Sequence, residues 1–258
     1  MPAPLGGAHL RIVACEACPR LRTYCRGIAE TKRASFRDDT YWARPVPGFG
    51  DADAPAAHGA NRTGRVFTGD GRNGSGDFLM RGLMAGGFAN QGTSDRPDDG
   101  LRLTDAYIAA AVRCAPPDNR PLPDEVDRCL AHLEAELAAL PQVQLVVVLG
   151  RIAYDAYRRL LARKGQRLPA APFAHGHFVD ASHLAAPSVL QSYHPSRQNT
   201  HTGRLTDDML ADVFRDARRR LDASQNVGVG LGRREGCPDV GVGLGRREGS
   251  PDVSVGLG

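Results

Sequence analysis

The chain has almost no lysine. Lys32 and Lys164 are the two among 33 basic residues, so the formal charge of +4 is carried by arginine. It also has no apolar run near the ~18 residues that a membrane-spanning helix needs, and its first residues lack the apolar core of a signal peptide. These absences exclude a helical membrane span and direct the expectation to a cytoplasmic protein. The charge surplus is slight, and an arginine bias accompanies the many alanines and glycines, so charge alone does not establish nucleic acid as the partner.

At 258 residues and 41% hydrophobic content the chain can bury a full α/β core without cross-links. The six cysteines of such a chain therefore read as metal ligands or structural thiols rather than as disulfides.

The stretch 104–119 organises the rest. Tyr107, Ile108 and Val112 are strand formers among alanines, and Pro116 and Pro117 stop any regular element just after Cys114. A strand end beside a loop is where α/β proteins place their sites. Residues 122–140 follow as the best helix: Pro123 and Asp124 start it, and Val126, Leu130, Leu133, Leu137 and Leu140 recur every three or four positions. The Val and Leu run at 143–149 reads as a strand buried on both faces, as in a parallel sheet covered by helices.

Helical spacing at 78–89, 152–161 and 206–221, with weaker strands at 173–179 and 188–193, predicts a three-layer α/β fold. Residues 1–14 read as a lead-in and 31–50 as an irregular surface arm. The loop 51–77 is too long and glycine-rich for idle packing, and Asp77 reads as the N-cap of the helix that follows. At the other end, residues 227–239 recur at 240–252 with Cys237 replaced by Ser250, and a third copy begins at Val253. A repeat of Gly, Arg, Glu and Pro offers little side chain to offset the entropy of ordering, so 223–258 is expected to be a disordered tail behind a folded domain of residues 1–222.

With Cys237 in the tail and Cys25 left over, two pairs remain, Cys15-x2-Cys18 and Cys114-x14-Cys129. Four thiolates from two distant pairs make a structural zinc site or an iron-sulfur cluster, and spacing does not separate the two.

Taken together, Cys15-x2-Cys18, Phe67-Thr-Gly69, Val112-Arg-Cys-Ala-Pro-Pro-Asp-Asn119, Cys129 and His194-Pro-Ser196 resemble the motifs of the iron-sulfur uracil-DNA glycosylases. The segments 54–70 and 194–204 are similar to family 5, the type B enzymes, and the resemblance runs over about 15–221. It implies a three-layer α/β/α uracil-DNA glycosylase-like fold with a mainly parallel central sheet. It also implies a monomeric, monofunctional DNA repair glycosylase for uracil and other deaminated bases such as hypoxanthine and xanthine. A four-iron four-sulfur cluster on Cys15, Cys18, Cys114 and Cys129 comes with the resemblance.

The family's chemistry gives the other residues roles. A glycosylase extrudes a base, recognises it in a pocket, and breaks its bond to C1′ while negative charge builds on the base. The resemblance assigns Phe67 to stacking, His194 to donating a hydrogen bond to the base, and Asp70 and Asn119 to placing water or the base. His58 and Arg197 join the substrate side, and Arg62, Arg65, Arg197 and Arg204 are expected on phosphates. Ala110 stands where family 4 relatives carry an Asn, so the filter for uracil is absent and a tolerant pocket is expected. Neither lysine falls in a motif, so no lyase step is implied.

Two features depart from the family, the smaller being a loop at 71–76 a few residues longer than is usual in that family. Its members have a hydrophobic strand and a Gly-Leu just before the Ala-Pro motif, whereas here Gly50-Asp-Ala-Asp53 runs directly into Ala54-Pro55. About eight to ten residues of a central strand are absent, so the first strand is missing or replaced. The arm at 40–49 is one substitute, against which its two prolines argue. That gap motivates a rival reading, a catalytically inactive iron-sulfur DNA-binding protein derived from the family.

Overall fold

The computed structural model describes residues 3–50, 63–69, 74–230 and 253–257. Two five-residue apolar runs set its middle. Ala106–Ala110 (β2) and Leu145–Leu149 (β3) are buried at every position, because alternate residues of each face two different cores. Toward one face, Ile108, Val147 and Leu149 pack with Leu79, Leu83, Leu210 and Phe214; toward the other, Tyr107, Val146 and Val148 pack with Leu130, Leu133, Tyr154 and Tyr157.

The helices that supply those residues form the outer layers. In chain order they are α1 (Ala3–Val13), α2 (Pro19–Thr31), α3 (Ser75–Ala85), α4 (Pro123–Ala138), α5 (Arg151–Arg163), the short α6 (Arg197–His201) and α7 (Asp207–Gly230). Helices α3 and α7 cover one face of the sheet; α1, α4 and α5 cover the other. The three-layer α/β/α expectation holds.

The remaining strands are β1 (Phe49–Gly50), β4 (Phe178–Val179), β5 (Ser188–Ser192) and β6 (Val253–Leu257). Their order is β1-β2-β6-β3-β5-β4. The four central strands are parallel and the two edges antiparallel, which agrees with a mainly parallel sheet. The vacancy left by the missing strand is thus filled from the far end of the chain: Val253–Leu257 lies between β2 and β3, paired with both. Composition predicted no order for 223–258, yet residues 223–230 continue helix α7 and 253–257 are a central strand; residues 231–252 lie outside those described.

Three local readings change. The lead-in is helix α1, which buries Leu5, Ala8 and Ile12. The arm does not replace the central strand, and only its end, Phe49–Gly50, joins the sheet, at the edge beside β2. Asp77 lies inside the first turn of α3 behind the N-cap Gly74, buried, where its carboxylate accepts the Ser94 N–H at 3.1 Å. No helix among the described residues is long and apolar enough to cross a membrane.

Candidate active site

The C-terminal ends of the parallel strands open into a cavity of about 700 Å³, where α/β sheets commonly bind ligands. Ala110 and Ala111 from the end of β2 and Leu149 and Gly150 from the end of β3 line it, together with Phe67, Asn119, His194 and Arg197. Five residues singled out in the sequence (Phe67, Ala110, Asn119, His194 and Arg197) therefore converge from four separate segments. His58, Arg62 and Asp70 lie outside the described residues.

The rings of Phe67 and His194 lie 5.8 Å apart between centroids and tilt 31° to each other, forming one wall. Both are held by tight backbone approaches. Phe67 is buried and has a left-handed backbone (φ 58°), a conformation costly for an aromatic residue and kept where the surroundings over-determine it. Gly76 at the start of α3 touches it so closely that a Cβ there would fall 2.2 Å from the Phe67 carbonyl oxygen. His194 sits against Gly150 (φ 94°), where a Cβ would lie 3.1 Å from the His194 Cβ. The Gly150 N–H donates to the Ser192 carbonyl at 2.8 Å, and the Asn199 amide Nδ2 donates to the His194 carbonyl at 2.8 Å. In the loop after β2, Asp118 and Asn119 are consecutively left-handed (φ 53° and 56°), and the exposed Asn119 lines the same cavity.

Comparison with known proteins now decides the family. The family profile described as "Uracil DNA glycosylase superfamily" matches residues 52–218. The chain is 48% identical over 219 residues to the type-5 uracil-DNA glycosylase of Thermus thermophilus, covering 81% of this chain and 94% of that protein. Against the type-5 uracil-DNA glycosylases of Mycobacterium leprae and Pyrobaculum aerophilum it is 44% and 42% identical, covering 82% and 80% of this chain and 93% and 89% of theirs. The chain belongs to the type-5 uracil-DNA glycosylase family.

The family's expected iron-sulfur cluster is not borne out. Among the described residues no group of three or more His, Cys, Asp or Glu side chains is arranged to hold a metal ion, so Cys15, Cys18, Cys114 and Cys129 are not assigned as ligands. The local reason lies in Cys25. Cys18, the N-cap of α2, and Leu21 and Cys25 on it pack against Cys114, Val112 and Ala115 at the end of the β2 segment. Cys114 shares a hydrogen bond with Cys25, which with burial pushes its thiol far up, while the same bond pulls Cys25 down. The Cys25 sulfur also lies 3.6 Å from the Ala115 carbonyl oxygen. Cys129, buried on α4, has its thiol pushed up by desolvation. Cys18, Cys25 and Cys114 act as small buried side chains that dock α2 on the loop, and no step of the glycosylase reaction is routed through a cluster.

A second correction concerns Arg65. It is 2% exposed, donates from both terminal nitrogens to Asp99 at 2.8–2.9 Å, and donates from Nε to Thr68 Oγ1 at 3.0 Å. Rather than meeting a phosphate, it ties the Phe67 segment to the 94–99 loop, where the Gly69 N–H also donates to the Ser94 carbonyl at 2.8 Å. Arg204 is exposed, with its guanidinium 4.7 Å from the Tyr193 ring centre.

Sequence reasoning missed two groups. Arg33, Arg151 and Gln198 line the cavity beside Arg197; Arg151 was readable as the residue after a strand-Gly unit, and Gln198 lies within the His194 motif. The other group is a buried polar cluster behind the strand end. Glu136 Oε1 accepts from the Gly48 N–H at 2.8 Å, the Tyr107 hydroxyl at 2.9 Å and Arg113 Nη1 at 3.1 Å. Arg113 and Glu136 are both 1% exposed, and the Arg113 carbonyl accepts the Val46 N–H at 2.8 Å. This ion pair fixes the residue next to Cys114 and hence the root of the Asn119 loop.

Proposed function

We infer that this type-5 family member is a DNA repair glycosylase that hydrolyses the N-glycosidic bond of uracil and other deaminated bases in DNA. One arrangement carries the reading: the buried Phe67 and the half-buried His194 pair their rings in a cavity that Ala110, Leu149 and Asn119 also line. A flipped base needs those parts. Phe67 gives it a stacking face. His194 donates a hydrogen bond to the base oxygen as negative charge builds there. Asn119 positions the attacking water or the base edge. Water adds its oxygen to C1′, the bond to the base nitrogen breaks with its electron pair going to the base, and the water's proton ends on the departing base. Arg197, with Arg33 and Arg151 on the same rim, supplies positive charge for the phosphates. Asp70 and His58 keep the roles the family resemblance gives them, Asp70 sharing with Asn119 the task of placing water and His58 serving the substrate side. The chemistry belongs to residues 1–222. Because Ala110 brings no amide to the floor, the pocket does not select uracil over hypoxanthine and xanthine.

The test is strand scission by alkali after incubating the full chain with oligonucleotides that carry uracil, hypoxanthine or xanthine. The wild type cleaves at all three, and His194→Ala and Asn119→Ala each lower the single-turnover rate by roughly 10²–10³, as removal of one transition-state donor does. No cleavage at any base sinks the glycosylase reading in favour of an inactive DNA-binding protein. Cleavage at uracil with inosine DNA untouched under excess enzyme sinks the tolerant pocket alone.

A further inference from the structure

Strands β2 and β3 do not pair with each other; each meets only β6 on its inner side. Adjacent strands lie about 4.8 Å apart, so without β6 the sheet carries a slot one strand wide between Ala106–Ala110 and Leu145–Leu149. Both walls then present a row of backbone N–H and C=O groups inside a buried sheet, where unpaired polar groups are costly. Among the described residues before Ala54 only Phe49–Gly50 joins the sheet, at its edge, and residues 253–257 occupy this slot.

The repeat is written for that place. In the observed register Val253, Val255 and Leu257 share positions with Ala106, Ile108 and Ala110 on one side and with Leu145, Val147 and Leu149 on the other, all of the α3/α7 face. Ser254 and Gly256 share positions with Tyr107 and Ala109 and with Val146 and Val148, all of the opposite face, over which α5 lies. Apolar and small residues thus alternate along the sequence with the period of a strand, the small ones at the register positions of the face that α5 covers. A one-residue slip would exchange the two sets, so the register is specified.

The same alternation stands two repeats earlier at 227–231, where residues 227–230 are committed to α7, and one repeat earlier, at Val240, Val242 and Leu244 with Gly241 and Gly243 between them. Residues 231–252 between α7 and β6 reach up to about 75 Å at the extension limit of the backbone. That exceeds a domain of this size, whose radius of gyration is about 17 Å, so a strand from the same chain reaches the slot. Tethering holds it there at an effective concentration that a second molecule does not match at ordinary protein concentrations.

We propose that the slot between β2 and β3 is a binding site for an extended Val-x-Val-Gly-Leu segment, that the C-terminal repeat is its donor within the same chain, and that the copy at 240–244 is a second donor fitting the same slot. Leu257 is in register with Ala110 and Leu149, which line the cavity, so an occupied slot is also a condition for the geometry of the site.

The experiment uses the full chain with proline placed in one copy or both, since proline removes a ladder donor and is not tolerated in a central strand. Thermal melting is the primary readout, independent of whether the protein excises any base; uracil excision is the second. Val242→Pro alone melts with the wild type. Val255→Pro melts lower, and V242P/V255P lower still, with the total fall about 6–12 °C. A synthetic peptide Asp-Val-Ser-Val-Gly-Leu-Gly added to the double variant restores its melting temperature and its excision. If the double variant is insoluble, hydrogen exchange on the wild type replaces it, and the amides of 253–257 are then protected as well as those of Leu145–Leu149. The proposal is overturned by a double variant that melts with the wild type, by a peptide that restores nothing, or by amides at 253–257 exchanging at unstructured rates. A concentration-dependent dimer of the wild type overturns the same-chain donor. Loss of excision in the unmodified chain with these melting results intact would count against the glycosylase reading and leave the strand donor standing.

Discussion

Replacing Glu136 with Gln tests whether the Asn119 loop hangs on a buried ion pair. Glu136 Oε1 accepts from three donors and Oε2 receives Arg113 Nη2. Glutamine keeps an oxygen for the three donors but turns an NH₂ toward the Arg113 guanidinium, leaving a buried cation without its anion and two donors face to face. The Arg113 Nε already has no hydrogen-bond partner among the described residues, so the guanidinium has no alternative acceptor at hand. Breaking one half of a buried pair costs about 3–5 kcal/mol, which for a domain of this size lowers the melting temperature by about 6–20 °C. Because a buried pair replaced as a unit by apolar residues often costs little, Arg113→Met/Glu136→Leu should melt above Glu136→Gln. Melting is followed by circular dichroism, and excision is measured well below the variant's transition, where a tenfold or larger loss reports displacement of the Asn119 loop. A Glu136→Gln protein melting within about 2 °C of wild type, with the wild-type rate, would refute the reasoning.

Gly150→Ala places a Cβ 3.1 Å from the His194 Cβ at a φ of 94° that side chains rarely adopt; single-turnover excision should fall on the order of tenfold to a hundredfold, and wild-type kinetics would show that His194 is not seated by this contact. Burial lowers the values of His9, His132 and His175 from 6.5, so the folded state binds fewer protons than the unfolded chain just below that pH. Their contribution to stability is complete above about 6.5 and is lost as pH falls toward the folded values. Urea midpoints should therefore drop between pH 7 and 5.5, less so in His9→Gln, and a midpoint that rises on acidification would show the sign is wrong.

What sequence made legible were the elements whose signal is local. The β3 run Leu145–Leu149 and the heptad-like spacing of α4 have periods that tertiary context does not overrule. The converging site residues Phe67, Ala110, Asn119 and His194 were reached through motifs whose meaning lies in chemistry rather than in packing. Arg65 was misplaced because a side chain's charge does not tell which way it points; only the carboxylate of Asp99, 34 residues away in sequence, decides that. Glu136 was invisible for the same reason, since it sits on a helix whose exposed face is also acidic and basic, and only the fold brings it beneath Arg113.

The cysteines and the tail err in opposite directions, and one physical point explains both. Spacing says which side chains can meet, whereas meeting depends on what else competes for the place: Cys25, left out of two neat pairs, is the free thiol that hydrogen-bonds with Cys114. Composition, conversely, sums a segment's own capacity to bury surface and omits what a partner contributes. A glycine-rich Val-Ser-Val-Gly-Leu cannot order itself in water, but a slot already walled by ten side-chain-packed residues needs from its occupant only backbone hydrogen bonds, alternation and small size on one face. Those are the three properties that the composition of the repeat hides and its order along the chain displays.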